Sequence, residues 1–322
     1  MSRRFVNQLA ENESVDEVFL VSEKQLRTNR NGNLYIAMRL ADKSGSVNGM
    51  MWNANERIAD GFENGDYVRI NGTTQLYNGT IQMIVTRVDP VIPEKVVEED
   101  FVTLSSTDVG KLATEVAEML RAIKNYHLRN LAESYLMDET FMEKFSSAPA
   151  GIKNHHAYRG GLLEHVLSLM KLSSLVAPHY DGLDPDLLLL GAFLHDIGKI
   201  DELNYERELS YSDEGQLIGH IVMAVSMLEE KIRETEKLAG EPFPIEMALR
   251  LKHMIVSHHG EYEFGSPKLP MTLEAIALHF LDNLDSKIYT VKQLIADDVN
   301  AGNSWTPYQP NMGRKFFKGE DA

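Results

Sequence analysis

The helical half of the chain is organised around one stretch, FLHDIGKIDEL, which covers residues 193–203. The apolar run 187–194 leads into it, and the pattern predicts a helix that starts near Asp184 and ends at His195 and Asp196. Neighbouring helical side chains point about 100° apart, so this pair cannot chelate an ion as residues spaced i, i+4 do. It can hold an ion at a helix end if other helices supply further ligands.

Helical periodicity extends through the rest of this half. Apolar residues spaced three and four apart begin after Thr107 and continue to Ile123. Further amphipathic segments cover about 161–176, 184–197, 213–236, 244–259 and 272–297. We expect no strand after residue 105, which predicts an all-helical domain at 106–302. The tail at 303–322 follows no period and is rich in aromatic and basic residues.

The first ninety residues follow the strand period instead. Apolar residues occupy every second position, as in Leu34, Ile36, Met38 and Leu40. Turn signals occur at Asn31-Gly32, Lys43-Ser44-Gly45, Asn64-Gly65-Asp66 and Asn78-Gly79. They mark about five strands, with a short helical stretch at 53–59 between the third and fourth, which is the order of an OB-fold. We therefore predict a multidomain chain, β plus α, with an OB-fold β-barrel at 1–90, a linker at 91–105 and the all-helical domain.

Composition narrows the chemistry. The chain has no cysteine, so thiolate sites and cysteine nucleophiles are excluded, and any metal must bind to His, Asp or Glu. The net charge of −16 argues against a protein that coats nucleic acid electrostatically, although residues 1–95 carry only −1 of it. The longest apolar run is too short for a membrane span, and residues 1–14 do not resemble a signal peptide. We expect a cytoplasmic protein.

Several potential metal ligands lie on separate predicted helices. Each sits among apolar neighbours, where an unpaired charge or imidazole is costly to bury, and convergence on a metal would offset that cost. The candidates are His165, His195, Asp196, His220, the adjacent His258 and His259, and Asp282, with Asp285 as an alternative ligand or a partner of one. We expect His127, His253 and His279 to be hydrogen-bonded core residues. An imidazole-rich shell favours manganese, iron, cobalt, nickel or zinc over magnesium, with manganese as the first expectation.

This ordered set resembles the ligand pattern of the HD-domain metal-dependent phosphohydrolases. The resemblance implies two divalent ions that share Asp196 and hydrolyse a phosphoester between them. The first ion would bind His165, His195, Asp196 and Asp282, and the second Asp196, His220, His258 and His259. Lys199 resembles the lysine of the family motif, whose ammonium would neutralise charge in the transition state. Its alternative role is that of an exposed lysine near a helix end.

The barrel offers candidate contacts for nucleic acid. If Ile36 faces the core, then Tyr35 and Arg39 point outward on the second strand, as Trp52 does on the third. Tyr77 precedes a predicted turn and is a third aromatic candidate. These side chains suit base stacking and phosphate contact. Alternatively, the aromatic rings cover the barrel or pack against the helical domain, and OB-folds also serve oligosaccharide and protein partners.

The order of the two modules and three stretches of sequence resemble the YhaM-type 3′-to-5′ exoribonuclease family. The stretches are HHAYRGGLLEHV (155–166), FLHDIGKIDEL (193–203) and SHHGEYEFGSP (257–267). The resemblance implies a substrate of single-stranded RNA and a preference for manganese or cobalt. His155, His156 and Arg159 either line the substrate entrance or serve in capping and packing. Residues 265–267 are expected to shape the loop over the site.

We therefore expect a metal-dependent 3′-5′ exoribonuclease that degrades single-stranded RNA to nucleoside monophosphates. No membrane partner is expected, and single-stranded DNA as a substrate and an oligomeric state stay open. One alternative is an HD-type phosphodiesterase or phosphatase that acts on small nucleotides and carries a regulatory OB domain. The other is a non-catalytic RNA-binding module whose HD site is structural.

Overall fold

The chain forms two compact units in the computed structural model. The first is built from Met1–Thr103 and Val291–Ala322, and the second from Leu104–Tyr205 and Leu209–Thr290. The described residues are 3–77, 80–101, 104, 106–152, 158–205, 209–296, 298 and 303–319. The finer division into a barrel at 1–90, a linker at 91–105, a domain at 106–302 and a tail at 303–322 stays a prediction.

The first unit contains the predicted OB-fold barrel. Its strands are β1 (Ser14–Thr28), β2 (Leu34–Asp42), β3 (Gly45–Trp52), β4 (Tyr67–Tyr77) and β5 (Thr80–Val91), closed in the order β1-β2-β3-β5-β4. Only the β3–β5 pair is parallel among these neighbours. Helix α1 (Glu56–Ala59) lies between β3 and β4, where the Asn55 side chain accepts a hydrogen bond from the Ile58 N–H. The predicted turn at Asn78-Gly79 lies outside the described residues.

The two faces of the barrel strands differ as the alternation predicts. Ile36, Met38 and Leu40 on β2 are buried, and Val47 and Met51 on β3 complete the same inner face. Burying apolar area of this kind is worth about 25 cal/mol per Å². The alternate positions are therefore the ones left for contact with solvent or a ligand.

The second unit is built from ten helices among the described residues, of which the last continues into the first unit. They are α2 (Ser106–Arg121), α3 (Tyr126–Leu136), α4 (Glu139–Ser147), α5 (Gly161–Val176), α6 (Pro185–Leu194), α7 (Lys199–Glu202), α8 (Asp213–Leu217), α9 (His220–Ala239), α10 (Ile245–Ser257) and α11 (Leu273–Ala296). Helix α6 is apolar on every face and buried from Leu187 to Leu194 except for the half-buried Leu189. It therefore forms the centre of the helical core.

Two expectations about this unit are corrected. Helices α3 and α4 were not predicted, although Asn125 and Asp138 cap their first turns through side-chain oxygens. The predicted segment 213–236 is two helices, because Gly219 adopts φ 79° and ψ 154°, a conformation that ends α8 and that only glycine adopts readily. Helix α9 consequently begins at His220.

The expectation of no strand after residue 105 is wrong in one place. Strand β6 (Leu203–Asn204) pairs with β7 (Ser210–Tyr211) in an antiparallel ladder. Two-residue strands are too short to show an alternating pattern in the sequence.

The C-terminal segment folds back on itself. Trp305 and Phe317 form a bridge with ring centroids 5.2 Å apart, and the Lys318 ammonium lies 2.8 Å from the Asp298 carboxylate in a buried ion pair. None of the described helices is long and apolar enough to cross a membrane.

Candidate metal centre and nucleic-acid face

The HD pair stands at the end of α6, as predicted. The Asp184 side chain accepts hydrogen bonds from the N–H groups of Asp186 and Leu187 at 3.0 Å each and so caps the start of the helix. His195 is its C-cap, and Asp196 follows with a side chain only 4% exposed. The core helix therefore presents both side chains from a rigid support.

Gly198 allows the first residue of α9 to reach this end of α6. A Cβ atom at position 198 would lie 2.0 Å from the His220 carbonyl oxygen, a distance that no side chain tolerates. The glycine therefore allows the backbone that follows His195 and Asp196 to pack directly against the backbone of His220.

Six side chains form two groups whose members could each share an ion. In each group the potential ligand atoms lie within 4.8 Å of one another. The first group is His165, His195 and Asp282, and the second is His220, His258 and His259. In the first, His165 Nε2 lies 3.3 Å from both His195 Nε2 and Asp282 Oδ1. In the second, the ring centroids of His258 and His259 lie 4.4 Å apart.

Asp196 lies between the two groups. Its Oδ2 is 3.3 Å from His195 Nε2 and 3.9 Å from His165 Nε2. Its Oδ1 is 3.5 Å from the Nε2 atoms of both His220 and His258. One carboxylate oxygen therefore faces each group, which is the geometry of a bridging ligand.

Every histidine in the two groups has a hydrogen-bond acceptor at Nδ1, the ring nitrogen that points away from the other ligands. The partners of Nδ1 are Ala192 O for His195 (2.8 Å), Ile255 O for His258 (2.7 Å), Phe264 O for His259 (2.8 Å), Glu202 Oε1 for His220 (2.9 Å) and Asp285 Oδ2 for His165 (3.3 Å). A neutral imidazole that donates through Nδ1 has its lone pair on Nε2. All five rings are thus oriented as metal-binding histidines usually are.

The centre contains polar atoms that the described residues leave unsatisfied. Asp196 Oδ1 and His220 Nε2 are buried and have no hydrogen-bond partner among those residues. A buried unsatisfied polar atom costs about 1–3 kcal/mol. A divalent ion accepts electron pairs from both atom types, so the donor set fits metal binding.

Protonation differs between the two groups. Burial lowers the pKa of His258, and burial together with the neighbouring His258 lowers the pKa of His259 to about 4. Burial also disfavours the imidazolium of His165, but hydrogen bonds to Asp282 and Asp285 prevail and raise its pKa to about 9. His258 and His259 are therefore neutral and ready to bind a metal, whereas an ion that binds His165 displaces a proton.

Lys199 is not an exposed lysine. Its Nζ donates to Asp196 Oδ2 at 2.6 Å, and its side chain is 14% exposed. Although burial opposes ionisation of Asp196, the ammonium of Lys199 and the adjacent imidazoles hold the pKa of that carboxyl well below its usual range. The lysine thus favours the anionic form of the Asp196 carboxyl group.

Two further carboxylates, those of Asp285 and Glu202, contact the Nδ1 atoms of histidines in the two groups. Asp285 accepts a hydrogen bond from Ser168 Oγ at 2.7 Å and faces Nδ1 of His165, whereas Asp282 faces its Nε2. Glu202 accepts hydrogen bonds from both Nδ1 and the backbone N–H of His220 at 2.9 Å. Glu202 is not predicted by any sequence motif, because the only feature at this position is an acidic residue beside apolar residues.

Three further described histidines, His127, His253 and His279, contact residues outside the two groups or backbone atoms. His253 Nε2 accepts the N–H of Met271 at 2.8 Å, and His279 donates to the His258 carbonyl at 2.8 Å. His127 is partly exposed and packs edge-on against Phe243. These three belong to neither group, but they are partly exposed and not the core residues that were expected. His155 and His156 lie outside the described residues, and Arg159 is exposed.

The outer face of the barrel brings two predicted aromatic residues together. Tyr35 pairs with Trp52 across β2 and β3, with ring centroids 5.1 Å apart, and Trp52 is 47% exposed. Arg39 lies further along β2, where its Nε donates to Ser46 Oγ. Arg27, which the sequence analysis missed, lies directly opposite Tyr35 on β1 and is exposed. The three adjacent strands therefore present a guanidinium and two rings in one row.

Tyr77 does not join this row. It is exposed and pairs with Thr80 at the start of β5, whereas β3 pairs with β5 from Asn48–Gln82 to Met50–Ile84. Strand register, which the sequence pattern did not provide, separates the two aromatic positions.

Comparisons with known proteins agree with both units. Residues 162–287 match the HD domain, and residues 20–91 match an OB-fold nucleic acid binding domain. These matches confirm the predicted folds and define a divalent-metal-dependent hydrolase that carries a nucleic-acid-binding module.

The particular family follows from full-length relatives. The chain is 32% identical over 307 residues to the 3'-5' exoribonuclease YhaM of Bacillus velezensis and to that of Bacillus subtilis, covering 95% of this chain and of each relative. It is 30% identical over 284 residues to the protein of the same name from Listeria innocua, with 88% of each chain covered. The chain belongs to the YhaM family of 3'-5' exoribonucleases.

Proposed function

We propose that this protein is a metal-dependent exoribonuclease that shortens single-stranded RNA from its 3′ end and releases nucleoside monophosphates. The observation that carries the proposal is the position of Asp196 between two groups of inward-facing imidazoles. Full-length relatives that are named 3'-5' exoribonuclease supply the substrate class and the direction.

The proposed ligands divide by proximity. His165, His195, Asp196 and Asp282 would hold one ion, and Asp196, His220, His258 and His259 the other. Two ions that share a carboxylate suit phosphodiester hydrolysis, because they can clamp the oxygens on both sides of the scissile bond. Manganese is our first choice, with cobalt, iron or another transition ion as alternatives, because the shell is dominated by imidazole.

The chain's own residues prepare this site for the reaction. Divalent ions, when bound, supply Lewis-acid polarisation of the phosphoryl oxygens and lower the pKa of an attacking water. The Lys199 ammonium donates to Asp196 at 2.6 Å and would stabilise negative charge that develops on a phosphoryl group bound there. Asp285 and Glu202 orient His165 and His220 from the outer side.

The barrel supplies affinity in this proposal. Tyr35 and Trp52 would stack on bases, and Arg27 and Arg39 would contact phosphates. This division of labour fits the charge distribution, because the residues after 95 carry −15 of the net −16 and are poorly suited to general RNA attraction. A cytoplasmic location, single-stranded DNA as a further substrate and an oligomeric state stay predictions, as does a role for Tyr77.

The test uses purified full-length protein and 5′-labelled single-stranded RNA with manganese. A ladder that descends one nucleotide at a time, with nucleoside monophosphates as products, is expected. Internal cuts, or hydrolysis of mononucleotides and cyclic dinucleotides with none of RNA, would contradict the proposal and favour a small-nucleotide phosphodiesterase. No turnover with several divalent ions would favour a non-catalytic RNA-binding module.

A further inference from the structure

The loop that follows α10 carries two exposed aromatic rings and contacts His259 of the second metal group through its backbone. Its 3-10 turn, Tyr262–Phe264, carries Tyr262 at 64% and Phe264 at 67% exposure. Exposed apolar side chains that lie close together, unlike isolated ones, commonly mark a binding site. These two have no role in the function proposed above.

The turn is fixed by hydrogen bonds, so the exposure does not reflect a loose loop. The N–H of Phe264 donates to the Glu261 carbonyl at 3.1 Å, and that of Ser266 donates to the same carbonyl at 3.2 Å. Ser266 is buried, and its hydroxyl donates to the Lys268 carbonyl at 2.7 Å. The rings are therefore presented by a pre-organised backbone, which lowers the entropic cost of binding.

Phe264 is joined directly to the proposed metal centre. Its carbonyl oxygen accepts the Nδ1 hydrogen bond of His259 at 2.8 Å. The His259 ring in turn lies 5.3 Å from that of His220 and 4.4 Å from that of His258. The Phe264 backbone therefore lies one imidazole ring away from a phosphate held by this group, a separation that the base of an adjoining nucleotide can span.

The charge on the turn favours one part of a nucleotide over another. Glu261 and Glu263 are exposed on either side of Tyr262, and both carboxylates would repel a phosphate. A nucleobase is uncharged and offers a flat face that stacks on aromatic rings in any sequence. The turn therefore suits a base and not the backbone.

We propose that Phe264, together with Tyr262, forms a stacking platform for the base of a nucleotide that adjoins the scissile phosphate. This inference rests on the proposed exoribonuclease function and adds a substrate contact next to the metal centre. The platform gives the helical unit a binding site for short RNA ends that does not depend on the barrel.

The test compares Phe264→Ala with wild type on a trinucleotide RNA, using the full chain and manganese. Loss of stacking should raise KM by about 5- to 150-fold, while kcat changes less. The backbone carbonyl that holds His259 is retained in the variant, so bound metal per chain should equal that of wild type. Phe264→Trp should keep a KM near the wild-type value, because a larger ring still stacks.

Tyr180→Ala is the matched control, since Tyr180 is 59% exposed and lies outside this turn. Trinucleotides with an abasic terminal or penultimate position complete the test. The KM penalty of Phe264→Ala should disappear on one of these two substrates, because the base that stacks is then already absent.

Three results would contradict the proposed stacking platform. The first is a KM for Phe264→Ala equal to that of Tyr180→Ala, and the second is an increase in KM for Phe264→Ala that persists on both abasic substrates. The third is loss of bound metal in Phe264→Ala. A wild-type protein that leaves the trinucleotide intact but degrades longer RNA would also contradict it. Failure of wild type on every RNA would instead contradict the proposed function.

Discussion

The Glu274 carboxylate accepts a hydrogen bond from the backbone N–H of Asp184 at 3.1 Å and so joins the start of α11 to the start of α6. Its other oxygen lies 2.7 Å from a guanidinium nitrogen of Arg250 on α10. These three helices lead to Asp282, His195 and His258. One fully buried carboxylate therefore fixes, from a distance, three of the helices that carry proposed metal ligands.

Glu274→Gln should destabilise the protein by about 1–3 kcal/mol at pH 7, because a buried charge partner is lost. Burial opposes ionisation of Glu274, but the Asp184 N–H and Arg250 lower its pKa below the usual value. A lowered pKa means that the stabilisation is present above about pH 4.3, the unfolded-state value, and is lost as the pH falls through the folded-state pKa. The difference in the free energy of unfolding between wild type and variant should therefore become smaller as the pH falls.

Urea midpoints of the metal-free proteins at pH 7 and pH 4 measure this gap. Glu246→Gln is the control, since Glu246 also lies near Arg250, at 3.7 Å, but is 84% exposed. It should change the midpoint little. A difference in urea midpoint between wild type and Glu274→Gln that is larger at pH 4 than at pH 7 would contradict the lowered pKa of Glu274.

Asp196→Ala should abolish hydrolysis, because Asp196 faces both groups of imidazoles. Residual activity above about 1% of wild type would rule out a bridging role. RNA binding should survive, since it is assigned to the barrel, and a filter-binding assay can check it. His253→Gln is the control, because the His253 side chain accepts the Met271 N–H and belongs to neither metal group, so this variant should keep most of the wild-type activity.

Glu202→Gln and Asp285→Asn should each weaken the binding of one ion by about 10- to 100-fold, the usual effect of losing a carboxylate behind a metal-binding histidine. Calorimetric titration with manganese measures this effect without relying on activity. Glu214→Gln, at an exposed position on α8, should titrate like wild type. Equal titrations for all four proteins would remove Glu202 and Asp285 from the metal centre.

The sequence predicts the ligand residues better than their surroundings. His195 and Asp196 lie in a local motif at a helix end, so their position follows from helical periodicity. Arg27 opposite Tyr35 depends on strand register, which arises from pairing between distant segments. The hydrogen bond between Glu202 and His220 depends on the helix break at Gly219. The periodic sequence pattern continues through this position and therefore does not reveal that the backbone changes direction.

Trp52→Ala should weaken binding of long single-stranded RNA by about 5- to 150-fold, because stacking on one base is worth about 1–3 kcal/mol. Hydrolysis of a dinucleotide should change little, since so short a substrate does not need the barrel. Trp305, the other tryptophan, is equally exposed, and Trp305→Ala serves as the control in a fluorescence binding assay. Equal losses on long and short RNA would mean that Trp52 supports the fold and not binding.

The metal content of the purified chain tests the central claim that Asp196 joins two metal groups. Elemental analysis after equilibration with manganese and desalting should find about two ions per chain in wild type and about one after substitution of His220, or of His258 and His259 together. Asp196→Ala should retain fewer ions than wild type, because both groups lose a ligand. About one ion in wild type, unchanged by substitution of the second group, would contradict the dinuclear account.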